Sequence, residues 1–342
     1  MAGSAVMTLG IIGVGTVAAA PVASAQPRAV AHSGFKVKVI ATGLGGNIKP
    51  DDVAQLGNNV FVGYQNGVGP TGGAASGTGA TKSTIVEYKK KKIVGSWQVT
   101  GRCDGLAGNP ATGEILASVN EGGNSSIYAI NPVTNAVFHL TYNVDPTTLG
   151  GGGTDAISVS GGQILISGSN PSTPSAPAVY SVALNETTMV ATLTPVFADN
   201  ATATGPSGPV VLNLTDPDSN AFVPSTSPLF GGDFALVSQA DQQVIFVQAP
   251  GTAGQTLTQL PIGTNVDDIT WVTSTTGALY MTDNTNNTLY QISGAFTVGT
   301  VFVDTASDSG VPGTLSTLNL TTGQVTPVVV GFANPHGLRY VG

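Results

Sequence analysis

Cys103-Asp104-Gly105-Leu106 opens the stretch that decides the fold. A turn at Asn109-Pro110 follows, then the run Glu114-Ile115-Leu116-Ala117-Ser118-Val119, a turn through Gly122 and Gly123, the run Ser126-Ile127-Tyr128-Ala129-Ile130, and finally Ala136-Val137-Phe138-His139-Leu140. Short runs rich in Val, Ile, Thr and Tyr, bounded by Gly, Asn and Pro, read as strands joined by tight turns. The opening motif, an Asp followed within a residue or two by an apolar residue, recurs as Pro50-Asp51-Asp52-Val53, Thr154-Asp155-Ala156-Ile157, Pro217-Asp218-Ser219 and Asp267-Asp268-Ile269. With His in place of Asp it appears once more as Pro335-His336-Gly337-Leu338. Measured between Asp52, Asp104, Asp155, Asp218, Asp268 and His336, the spacings run from 50 to 68 residues.

Repetition on that scale, with strands and no sustained helical period, predicts an all-β chain: a six-bladed β-propeller of four-stranded antiparallel blades. Residues 35–342 form its single domain. Phe35 to Ile40 has no strands before it, so it is expected to complete the blade made by the C-terminus and close the ring. Between Gly294 and Gly331, Val301-Phe302-Val303 and Thr314 to Leu320 look like strands with no Asp motif ahead of them, which keeps seven blades open as the alternative.

Only 9% of the 342 residues are charged, against roughly 25% in an average soluble protein. Eleven Lys and Arg face 19 Asp and Glu, a net charge of −8 without a basic stripe, which excludes nucleic acid as a partner. Ala5 to Ala20 is apolar, and Ala23-Ser24-Ala25 supplies the small residues a signal peptidase needs. Residues 1–25 are therefore expected to be a secretory signal, 26–34 a flexible mature N-terminus, and the product an extracellular protein without a transmembrane span. Cys103 is the only cysteine, so no internal disulfide forms, and it reads as a small buried hydrophobe. Lys89 to Lys92 reads as a solvated hairpin turn.

In a propeller the innermost strands line a central channel, so a residue repeated at the start of each forms a ring at its mouth. Asp52, Asp104, Asp155, Asp218 and His336, with Asp268, are the candidate ligand-binding ring. Facing carboxylates repel, and the remedies are a bound cation, raised pKa values or backbone N–H donors, the last because an Asp before a turn bonds its own backbone. Other chemistry finds little support. Asp216-Pro217-Asp218-Ser219-Asn220 imitates an EF-hand opening but has Ala221 where Gly is needed, Gly150 to Gly153 lacks the Lys of a phosphate loop, and no G-x-S-x-G elbow exists. Of three histidines only His336 is placed where a substrate would arrive.

Val266-Asp267-Asp268-Ile269-Thr270-Trp271 followed by Gly277-Ala278-Leu279-Tyr280-Met281-Thr282-Asp283 resembles the repeat of six-bladed propellers that include NHL-repeat proteins and the SMP-30/gluconolactonase enzymes. The resemblance implies a divalent cation such as Ca²⁺ in the channel, held by Asn120, Asn170, Asp268 and Asp283, with Asp268 also moving a proton as general base. No acid lies between residues 35 and 50, where that family carries a Glu ligand. The leading expectation is a binding scaffold for a small molecule or an extracellular glycan or protein at the channel mouth. A metal-dependent, lactonase-like hydrolase and a structural cell-surface protein are the alternatives.

Overall fold

The strands fall where alternating apolar residues meet Gly, Asn and Pro turns. A computed structural model describes residues 29–342 except 32–33, 44–45, 75–78 and 308–312; the expected signal sequence and its cleavage point after Ala25 lie outside the described residues. β1 (Val30–Ala31) and β2 (Phe35–Thr42) precede a four-stranded antiparallel sheet of β3 (Pro50–Leu56), β4 (Asn59–Tyr64), β5 (Lys82–Lys89) and β6 (Lys92–Thr100). The lysine run makes the β5–β6 hairpin turn, as its composition suggests. Next come β7 (Cys103–Asn109), β8 (Glu114–Val119), β9 (Ser126–Asn131) and β10 (Ala136–Tyr142), then β11 (Thr154–Ser160), β12 (Gln163–Gly168), β13 (Pro177–Asn185) and β14 (Val190–Ala198). The hairpin of β15 (Thr202–Gly205) and β16 (Gly208–Val211) leads to β17 (Pro217–Phe222), β18 (Phe234–Ser238), β19 (Gln243–Gln248) and β20 (Thr256–Pro261). The chain ends with β21 (Ile269–Trp271), β22 (Ala278–Asp283), β23 (Thr288–Gly294), β24 (Val301–Thr305), β25 (Gly313–Leu318), β26 (Val325–Phe332) and β27 (Pro335–Val341).

The fold is all-β and propeller-like, with five hydrogen-bonded sheets where six separate ones were expected. The difference arises at the periphery. β7–β10 and β11–β14 are each antiparallel runs of four, but their outer strands β10 and β14 pair in parallel at Thr141 with Val190 and Tyr142 with Ala191, fusing them into one eight-stranded sheet. Such pairing satisfies edge groups that would otherwise be open to another chain. The β15–β16 hairpin likewise covers the edge at β20. Val30–Ala31, in the segment expected to hang free, pairs with Val329 and Val330 of β26.

A second difference is a crossover. The repeat resemblance places Gly277 to Asp283 in one blade with Asp268. Instead β22 and β23 join the sheet ordered β2-β23-β22-β27, while β21 is completed by β24, β25 and β26. The strands after Gly294 that lacked an Asp motif therefore belong to the motif at Asp268. The first long strand and the last strand share a sheet, β2 outermost and β27 innermost.

The core lies between the strand runs. Leu116 and Ile127 pack on Ile157, Ile166 and Tyr180; Val237 and Phe246 on Trp271 and Val303; Leu279, Met281 and Ile292 on Phe302, Leu315 and Val329. Each such aliphatic side chain contributes about 1.5–3 kcal/mol on full burial. The innermost strands β3, β7, β11, β17, β21 and β27 stand side by side in that cyclic order around a central channel.

Candidate functional site

One end of the channel opens into a cavity of about 200 Å³ lined by Asp51, Asp52, Asp104, Glu121, Asp155, Asp216, Asp218, Asp267 and Asp268, with Arg102 and His336 as its cationic residues. Nine of the chain's 19 acids thus face one space.

A repeated bulge puts them there. Pro50 lies opposite Tyr64 and Val53 opposite Val62, so the inner strand spends an extra residue between these pairs. The same irregularity separates Cys103 from Leu106, Thr154 from Ile157, Pro217 from Asn220 and Pro335 from Leu338, each against a two-residue step on the neighbouring strand. A bulge re-aims side chains, and here it turns the residue after Pro50, Cys103, Thr154, Pro217 and Pro335 to the mouth. The equivalent positions are therefore Asp51, Asp104, Asp155, Asp218 and His336. Asp267 completes this level, its N–H donating to the Asp304 carbonyl (3.1 Å) beside β21.

Asp52 and Asp268, which sequence spacing placed in that ring, sit one residue along, level with Gly105, Ala156, Ser219 and Gly337. The inner strands crowd at this depth: a Cβ on Gly337 would come within 2.3 Å of the Asp51 carbonyl oxygen. The two carboxylates fit by bonding across the gap. Asp52 accepts the Val53 N–H (2.6 Å) and, on the next inner strand, the Leu106 N–H (2.5 Å). Asp268 accepts the Ile269 N–H (2.7 Å), the Ser219 hydroxyl (2.5 Å) and the Leu338 N–H (2.6 Å). Both are struts between inner strands. Hydroxyls on second strands fix the mouth level in the same way: Ser118 donates to the Asp155 carbonyl (2.5 Å), Ser167 to that of Asp218 (2.6 Å), and Thr282 to that of Asp51.

Charge around the mouth is unevenly balanced. Arg102 pairs with Asp104 (2.9 Å) and Glu121 (2.7 Å), and Asp104 also accepts the Glu121 N–H (3.0 Å). His336 Nδ1 lies 3.3 Å from Asp267 and 3.7 Å from Asp51, and Asp267 accepts from Gln239 (2.8 Å). Burial works to lower the His336 pKa, but Asp267, then Asp51 and Asp218, outweigh it and push it up to about 10. His336 Nε2 lies 2.8 Å from the Asn334 side-chain nitrogen, while the Asn334 side-chain oxygen accepts the Ser307 N–H (2.9 Å). Asp155 and Asp218 differ from the other ring acids. Among the described residues neither carboxylate accepts a hydrogen bond or meets an ion-pair partner, although Asp155 is only 6% exposed.

Burial is the largest influence on the titration of Asp51, Asp52, Asp104, Asp155, Asp218 and Asp268. It pushes Asp51 up to about 6 against the pull of His336 and Arg102, and Asp268 up to about 6 against its hydrogen bonds. Burial and then Asp268 hold Asp52 well above the carboxylate range; burial does the same to Asp104 in spite of Arg102. For Asp155 burial is followed by Glu121 and Asp218, and for Asp218 by Asp267 and Asp216.

The other residues named for a cation lie elsewhere. Asn120 accepts the Arg102 N–H (2.9 Å) and donates to the Asn124 carbonyl (2.9 Å), and Asn170 donates to Ser169 (2.6 Å). Asp283 is fully buried and accepts from Asn286, Ala333 and Asn334, holding the turn after β22 against the entry to β27. None of the three lines the acidic cavity. Among the described residues no three His, Cys, Asp or Glu side chains come together as ligands for one metal ion. Sequence spacing missed Asp51 and Asp267 by one residue. The Pro before Asp51, Asp218 and His336 was the signal for the correct register. Arg102, Glu121, Asp216 and Gln239 flank the repeats and carried none.

No protein-family model and no curated protein matches the chain. Solved β-propellers are among its structural neighbours. The streptogramin B lyase structure is 10% identical, with 90% of this chain and 91% of that one covered and a TM-score of 0.48. The Pseudomonas aeruginosa periplasmic gluconolactonase is 14% identical over 86% and 88%, at 0.47. A putative 6-phosphogluconolactonase from Bacteroides uniformis is 13% identical over 83% and 85%, at 0.45. Among the described residues no helix is long and apolar enough to cross a membrane.

Proposed function

We propose that the chain is a secreted ligand-binding protein, a six-bladed propeller in which the fused sheet counts as two blades and the ligand enters the acidic mouth. The observation that carries this reading is the concentration of nine carboxylates around one cavity of about 200 Å³, several times the ~30 Å³ that one water occupies in the liquid. Stability alone would not gather them, since each buried charge carries a desolvation cost that its neighbours' repulsion increases. A chain that tolerates this cost at one place is expected to use the place.

The test compares wild type with Gln239→Trp, which fills the mouth from its rim. Melting is followed with spermidine, Ca²⁺ and glucono-lactone as probes, with lactone hydrolysis measured in parallel. A probe that raises the wild-type Tm and leaves the variant unmoved supports a ligand at the mouth. A probe that shifts both equally places binding elsewhere and ends the reading, and lactone turnover lost in Gln239→Trp would replace it with the hydrolase. Secretion is checked by intact mass, expected to begin at Gln26; a product in the medium that retains residues 1–25 would contradict it.

A further inference from the structure

We infer that the acidic mouth takes an aliphatic amine cation, with one ammonium group seated between Asp155 and Asp218. This rests on the reading of the mouth as a ligand site. Six positions form the mouth level, and the protein supplies cations at two places. Arg102 stands between Asp104 and Glu121, and His336 between Asp51 and Asp267. The remaining pair, on the adjacent strands β11 and β17, has no cation within ion-pair distance among the described residues, although Arg102 acts on Asp155 and His336 on Asp218 from farther off. Asp155 faces the cavity nine-tenths buried with no donor among the described residues, while Ser118 and Ser167 hold the two backbones in place. A buried carboxylate aimed into a cavity without a donor lacks what its neighbours have.

The lining also restricts the kind of cation. No three acids converge on one metal position among the described residues, so the charge is spread along a wall and suits an elongated cation better than a point charge. No aromatic side chain lines the cavity, which removes the cage that quaternary ammonium groups require. Carboxylates instead favour a cation whose N–H groups donate to them. Primary and secondary amines have both properties. An ammonium between Asp155 and Asp218 would draw off protons that burial and the surrounding Glu121, Asp104 and Asp51 at Asp155, and Asp267, Asp216 and Glu121 at Asp218, help to retain, against the pull of Arg102 on Asp155 and of His336 on Asp218.

Titration calorimetry at pH 7.5 with spermidine, tetramethylammonium and Ca²⁺, repeated in a second buffer of different ionisation enthalpy, tests this. Spermidine is expected to bind wild type with proton release, tetramethylammonium not to bind, and Asp155→Asn and Asp218→Asn each to weaken spermidine by about ten- to hundred-fold. Glu186→Gln, on an exposed turn, should bind as wild type does. Both ring variants should melt no lower than wild type, since each removes a buried carboxyl crowded by other acids, so lost binding would not be lost folding. Absence of spermidine binding, equal binding by both variants, or Ca²⁺ binding at these two acids in its place overturns the inference. If Ca²⁺ or glucono-lactone still responds to Gln239→Trp, the mouth stands as a ligand site and only the amine falls; if no probe does, both fall.

Discussion

The two mouths of the channel are built from the same six inner strands and differ in nearly everything else. One collects nine carboxylates with Arg102 and His336. The other, a cavity of about 230 Å³, is lined by backbone, by Ser158, Ser160, Asn220 and Phe222, and by a single cation, Arg339. Asp52 and Asp268 reach both, as the struts between them. The Asp residues of the neutral mouth are thus those that hold strands together, and the fold is secured by a few carboxylate-to-N–H bonds at mid-channel. The ring of Asp51, Asp104, Asp155, Asp218 and Asp267 is additional to that need. Architecture asks for small residues and struts, and the ring acids make neither of these contributions.

The largest expected difference between the mouths comes from their arginines. Arg102→Gln leaves Asp104 and Glu121 facing each other without a counter-charge, and urea unfolding should show a loss of about 3 kcal/mol. An unchanged midpoint would mean that the acidic mouth is not electrostatically strained at all. The pH profile comes next. Asp51 and Asp268 hold their protons up to about pH 6 in the folded protein, whereas an ordinary Asp has lost them above about 3.8. The folded state then binds more protons across that window, so stability falls by about 1 kcal/mol or more as pH rises from 4 to 7. His336 has the opposite sense of partner: its stabilisation is complete below its ordinary value of 6.5 and is lost as pH passes about 10. Urea midpoints at pH 4, 7 and 10 should therefore decrease in that order, and a rise between 4 and 7 would break the contrast. The smallest effect belongs to the neutral mouth. Arg339 is exposed to the channel and none of its described contacts is an ion pair, so Arg339→Gln should change stability by no more than about 0.5 kcal/mol and leave probe binding at the other mouth unchanged. A larger change would show that the two ends are coupled through Asp52 and Asp268.

Much of this was legible in the order of residues. Runs such as Glu114 to Val119 and Ser126 to Ile130 declare strands because alternation and turn residues act locally, and the recurring Asp marked the strand starts that line the channel. The one-residue error at Asp51 and Asp267 has a physical source. A bulge sets three inner-strand steps against two, so counting to the next apolar residue selects Asp52 and Asp268, whose neighbours at that depth are Gly105, Ala156, Ser219 and Gly337. Arg102, Glu121 and Gln239 come from turns that differ from repeat to repeat, and no periodic signal reaches them.

By itself the sequence determined the strand content and the acidic character, because these depend on side-chain chemistry and on neighbours a few residues apart. Which strands pair was decided by tertiary structure. β22 and β23 bury Leu279, Met281 and Ile292 against Phe302, Leu315 and Val329 from a sheet with β27 and β2, and the same alternation would have suited a sheet with β21. β10 meets β14 only because two runs of four bring their outer edges together. The same holds for the unbalanced charge at Asp155 and Asp218: Arg102 and His336 come within ion-pair distance of four other acids and act on these two only from farther off, a consequence of distance around the ring that no linear spacing encodes.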